Sequence, residues 1–220
     1  MVNQLSESAY SLGEEIAHAV THGIGIVLSI AGLVILVTFA ALNGDAWHIT
    51  SCSIYGASLI LLYTASTLYH GIPNPRAKLV LQRIDHAAIF VLIAGTYTPY
   101  TLVNLRGEWG WTLFGLVWGL AILGVFLEVL VKRRIKWLSL SFYLGLSWMV
   151  VIAIKPLLNA VETGGLILLL AGGLCYSLGV IFYIWKRLAY HHAVWHLFVM
   201  AGSLLHFFSI LFYVVPPSAG

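Results

Sequence analysis

Apolar runs of about 20 residues recur along this chain with short polar breaks between them, and that is the helical length needed to cross a hydrocarbon core. Seven such runs read as membrane spans, at roughly Thr21–Leu42, Ile49–Tyr69, His86–Leu105, Trp109–Val131, Trp137–Lys155, Gly165–Trp185 and Ala193–Val215. Barrel strands would alternate polar and apolar residues over about 10 positions, and these Leu, Val, Ile and Ala runs do not. With 60% hydrophobic and 9% charged residues in 220, the chain has too little polar surface to clothe a soluble domain. The expectation is an all-α integral membrane protein, one seven-helix domain over residues 1–220 with short loops and no linker.

Orientation follows from the basic residues, because cytoplasmic loops are enriched in Lys and Arg. One side carries Arg76, Lys78, Arg83, Lys132, Arg133, Arg134, Lys136, Lys186 and Arg187, whereas the other carries only Arg106 and Lys155. That bias places the N-terminus inside and the C-terminus outside. The net charge of +3 reflects this loop asymmetry, and no basic surface interleaved with aromatics suggests a nucleic-acid partner. The polar start, Met1–Val20, has no Lys or Arg and leads into a full-length span. It is therefore expected to be retained rather than cleaved as a signal peptide. Cys52 and Cys175 form no CxxC or paired framework, which leaves them as sheltered apolar residues.

His192 and His196 are four apart, so on a helix they differ by about 40° in bearing and one turn in height, which lets two imidazoles grip one ion. HxxxH alone is a weak signal. Orientation strengthens it: His70 ends span two and His192 and His196 begin span seven, so all three share the inner leaflet. Asp85 opens span three at the same level, and Ser66 lies one turn before His70 on the same face. Intramembrane ionisable groups are costly enough to count as candidates for function. Taken singly, each has a plainer explanation. A histidine can end a helix at the headgroups, as His191 is expected to do. Ser66 can pack helices, and Asp85 can cap span three or pair with Arg83.

Three neutral imidazoles leave a tetrahedral zinc ion one open position, which a water can take. Zinc lowers the pKa of that water from about 15.7 to about 7. Asp85 then suits a general base or a partner that orients a ligand imidazole, and Ser66 would steady the water or a substrate oxygen. Iron, nickel and copper also accept imidazole nitrogen.

Four stretches, "EEIAHAVTHGIG" (Glu14–Gly25), "STLYH" (Ser66–His70), "RIDHAAIFVLIAGTYTP" (Arg83–Pro99) and "HHAVWHLFVMAGSLLHF" (His191–Phe207), together resemble the haemolysin III family, the bacterial branch of the progestin and adiponectin receptor family. The resemblance covers nearly the whole chain. It implies seven helices with the N-terminus inside, a bacterial cytoplasmic membrane location, and zinc at the positions of His70, His192 and His196 beside Ser66 and Asp85. The related alkaline ceramidases carry a similar pattern, which implies hydrolysis of a lipid amide. One position departs from the family, whose first motif usually reads Glu-x-x-Asn before Thr-His. Here Glu15 is followed by His18, then Thr21 and His22. Glu15, His18 and His22 are compatible with a supporting position behind the ligands and equally with a helix start in the interfacial layer.

Other polar residues are expected to be structural. His206 lies ten residues beyond His196, about 15 Å deeper and about 80° off its face, and should bond to a neighbouring helix. His86 should point to another helix face than Asp85, Glu128 should snorkel toward the basic loop, and "GLVWG" (Gly115–Gly119) should mark close helix packing. Three functions fit these readings: a zinc-dependent membrane hydrolase of a lipid amide or ester, a non-enzymatic zinc-stabilised sensor or regulator of the membrane, and a cytolytic protein. The last lacks an amphipathic pore segment to carry it into another membrane. A membrane lipid is the expected partner, and the residues single out no protein partner or oligomeric state.

Overall fold

The computed structural model describes residues 10–131 and 136–216, so Lys132, Arg133 and Arg134 of the basic loop lie outside the described residues. Ordered by the chain, the elements are α1 (Leu12–Asn43), α2 (Ala46–Gly71), α3 (Pro75–Pro99), a π-helical turn (Tyr100–Asn104), α4 (Glu108–Leu130), α5 (Lys136–Ser147), a 3-10 turn (Met149–Ala153), α6 (Ile154–Ala160), α7 (Thr163–Ile184) and α8 (His191–Tyr213). No strand occurs among the described residues. α5, the 3-10 turn and α6 together make one span, which gives seven spans among the described residues long and apolar enough to cross a membrane.

Two spans begin well before their apolar runs. α1 starts at Leu12 because Ser11 and Glu14 form a capping box, in which Ser11 N–H donates to Glu14 Oε2 at 2.9 Å and Glu14 N–H to Ser11 Oγ at 3.3 Å. α3 starts at Pro75, where proline fits the first helical turn, and the Asn74 side chain accepts from the Arg76 and Ala77 N–H groups at 3.0 and 3.1 Å. Hydropathy misses both first turns because they are polar.

α1 packs on α2 and α8, α2 on α3, α3 on α4 and α5, and α7 on α8. The chain thus folds with α2 and α3 as its most enclosed spans, and the outer faces of α1, α4 and α7 carry exposed Val, Leu, Ile and Phe, as lipid contact requires. The close approaches between helices lie away from the "GLVWG" pair. A Cβ on Gly115 or Gly119 would meet nothing within 4 Å, whereas one on Gly124 would lie 2.5 Å from the Phe90 ring and one on Gly95 2.2 Å from Ser58 Oγ. Small-residue spacing on a lipid-facing surface had mimicked a packing motif. Glu128 also differs from its expected place: it is buried and accepts a hydrogen bond from Tyr143 Oη at 3.1 Å. Cys52 and Cys175 are free thiols.

The fifth span is broken. Pro156 has no N–H and its ring crowds the carbonyl four residues back, which ends α-helical geometry across Met149–Ala153. Freed backbone groups are costly inside a bilayer. A single hydroxyl serves them: Tyr97 Oη donates toward the Leu146 and Ser147 carbonyls, at 3.1 and 2.8 Å, and accepts from Val150 N–H at 2.9 Å.

Candidate metal centre

α1, α2 and α8 bring their polar ends together at the end of the bundle where α1 and α8 start. His70, on the last turn of α2, and His192 and His196, on the first two turns of α8, are all buried. One nitrogen from each lies within 4.8 Å of one from each of the others. Their ring centroids are 5.2 Å (His70–His192), 5.3 Å (His70–His196) and 4.6 Å (His192–His196) apart. Tetrahedral nitrogens bound to one zinc ion sit about 3.4 Å apart, so small side-chain rotations close the set on an ion.

Hydrogen bonds decide which nitrogens are free to bind. Glu15 Oε2 accepts from His70 Nδ1 at 2.7 Å, which leaves the lone pair on Nε2, an atom with no hydrogen-bond partner among the described residues. Glu15 Oε1 is in turn held by the Lys78 ammonium. The Thr21 hydroxyl gives its proton to the Ala17 or His18 carbonyl, at 2.8 or 2.9 Å. It therefore accepts from His196 Nδ1, 3.3 Å away, and His196 presents Nε2. His192 Nδ1 is also buried without a partner among the described residues. Buried, unpartnered imidazole nitrogens fixed by a carboxylate and a hydroxyl fit a cationic guest better than a packing role.

His22 lies flat against His196, with ring centroids 3.5 Å apart and an interplanar angle of 9°. Stacking on that ring fixes its plane, so Glu15 and His22 each stand directly behind one of the three clustered imidazoles. His18 is not a surface residue at a helix start. Its exposure is 0%, neither ring nitrogen has a partner among the described residues, and its centroid is 4.6 Å from His70 and 4.9 Å from His192. Tyr10 packs over the cluster, edge-on to His18 at 4.7 Å and stacked on His192 at 5.4 Å.

A cavity of about 320 Å³ opens beside the cage, lined there by His22, Ser66, Asp85, His192 and His196. It runs between apolar walls to Tyr100 and His206. From Asp85 to Tyr100 this is about 22 Å along the third span, more than half the thickness of a hydrocarbon core. Asp85 lies ten residues inside α3, whose cap is Asn74, and Arg83 gives its guanidinium to the Val129 carbonyl at 2.9 Å. The carboxyl is therefore not a helix cap. His86 lines the same cavity as Asp85 rather than another face. His191 is buried, and its Nδ1 donates to the Phe182 carbonyl at 2.9 Å rather than meeting headgroups. His206 Nε2 donates to the Leu169 carbonyl of α7 at 3.1 Å.

Thr21, His18 and Tyr10 are the site residues that sequence reasoning missed or left open. His18 and His22 repeat the four-residue spacing of His192 and His196, and that spacing was the available signal.

A profile of the family described as Haemolysin-III related matches residues 10–207. The chain is 50% identical over 206 residues to a Hemolysin-3 homolog of Bacillus subtilis, covering 94% of this chain and 97% of that one. It is 44% identical over 219 residues to Hemolysin-3 of Bacillus cereus, covering 100% of both. With the human monocyte to macrophage differentiation factor it shares 29% identity over 207 residues, covering 91% of this chain and 84% of that one.

Proposed function

The chain belongs to the haemolysin III family, and from that premise we propose that it is a zinc-dependent membrane hydrolase that opens a lipid amide or ester bond. Its membrane is the bacterial cytoplasmic membrane, and the cage faces the cytoplasmic leaflet. The observation that carries this reading is the shared cavity, which touches two of the three imidazole donors, His192 and His196, together with Asp85 and Ser66 at its polar end and has mostly apolar walls beyond them. Such a cavity suits a ligand with one polar head and a long hydrocarbon tail.

His70, His192 and His196 would hold the ion, with Glu15, Thr21 and His22 fixing the rings of His70 and His196. Zinc bound there supplies the positive charge that polarises a carbonyl oxygen and makes water acidic. Asp85 takes the proton that water loses as its oxygen adds to the carbonyl carbon. It returns that proton to the departing nitrogen or oxygen as the bond to carbon breaks. Ser66 donates a hydrogen bond to the substrate oxygen, and the apolar walls keep bulk water away from the reacting atoms.

Purified protein loaded with zinc in mixed micelles should release fatty acid from ceramide-like amides or from ester lipids. Asp85→Asn should slow release by about 10²–10⁴-fold, the usual range for losing a general base, while zinc content by elemental analysis stays at the wild-type level. Fully metallated protein with no turnover across a broad lipid panel would overturn the hydrolase reading.

One observation favours a second reading. The donors lie on α2 and α8, with α1 behind them, so an ion would also tie the second span to the seventh. A sensor or regulator built on that tie would keep its membrane phenotype in Asp85→Asn and lose it in His192→Ala.

A further inference from the structure

A second set of donors overlaps the first. One atom each from Glu15, His18 and His70 lie within 4.8 Å of one another. None of these three residues lines the cavity, whereas His192 and His196 do. The Glu15 side chain is 20% exposed, while His18 behind it is completely enclosed with both nitrogens unpartnered among the described residues. A fully enclosed imidazole without hydrogen bonds is unfavourable unless something binds it.

We infer that Glu15, His18 and His70 form an outer divalent-cation position through which an ion passes to the inner cage of His70, His192 and His196. This rests on the reading of the inner cage as a metal site. One carboxylate and two imidazoles suit zinc, cobalt or nickel. His70 belongs to both sets, so one ion occupies the two positions in turn, exchanging Glu15 and His18 for His192 and His196 as it moves inward. Lys78 holds a positive charge on Glu15 and its side chain is 25% exposed. An arriving dication therefore displaces an ammonium that has a free path to solvent. Ion and lipid use separate approaches, since the outer donors are absent from the cavity wall.

Metal-free full-length protein in detergent micelles, mixed rapidly with Co²⁺ and followed by its visible absorption, tests this. The wild type should load in two phases. His18→Asn should lose the early phase and load more slowly than wild type, with an unchanged final spectrum and cobalt content. Lys78→Gln, a change at a partly exposed side chain, should load faster than wild type. The inference is overturned if wild type takes up cobalt and His18→Asn matches its rate, if Lys78→Gln loads no faster, or if His18→Asn alters the final spectrum, which would make His18 a resting ligand. A wild type that binds no cobalt at all would overturn the inner-cage reading as well.

Discussion

Glu15 binds two groups at once, the His70 imidazole and the Lys78 ammonium. Its carboxylate fixes the orientation of the imidazole that faces the cage and places a negative charge behind it. Glu15→Gln keeps a hydrogen-bond acceptor but removes that charge, so equilibrium metal affinity should fall about 10–100-fold in competition with a chelator. His18→Asn should change the rate of loading and leave the affinity alone, which separates the two residues. That His70, His192 and His196 gather at one end of the bundle was legible, because helical spacing gives their bearing and the order of the spans gives their common end. His18 was not, since its spacing places it on one face of α1 without saying that this face meets α2 and α8. Thr21 was hidden for a related reason: a threonine bonding back to its own helix is ordinary, and only the tertiary position of His196 gives that oxygen a second use.

Tyr97 matters most among the helix-to-helix contacts, because one hydroxyl serves backbone groups released by the break in the fifth span. Tyr97→Phe leaves those groups buried without a partner. It should lower stability by about 1–3 kcal/mol, read as a reduced midpoint of denaturation in micelles. The seven spans were legible from run length alone, because no shorter apolar helix crosses a bilayer. Their irregularities were not. Pro99 and Pro156 were visible signals for the π-helical and 3-10 turns that adjoin them, yet hydropathy averages over such breaks. The reverse error arose at Gly115 and Gly119, where spacing was correct and facing was wrong. Which side of a helix meets lipid is settled by neighbours that hydropathy does not see.

At the scale of the whole molecule, an ion in the cage would add a tie between α2 and α8 at one end of the bundle, where deeper in it Tyr55 and Tyr63 of α2 already donate hydrogen bonds to Ser203 of α8 at 3.1 and 2.8 Å. Removing it with a chelator should lower the melting temperature of the solubilised wild type, and adding zinc should restore it. At free ion about 100 times the Kd, the stabilisation amounts to about 2.7 kcal/mol. His196→Ala should melt at one temperature with or without zinc. An equal response in that variant would place the stabilising ion elsewhere.

More than half of the chain separates His70 from His192. At about 5–20 residues per second, a ribosome needs on the order of ten seconds between making the first donor and the last. Until the final span has entered the bilayer, the earlier imidazole has only Glu15 and His18 of α1 beside it. Seating of a cation in the inner cage would thus mark the completion of biogenesis, and a chain stalled before α8 would have only the outer position to offer.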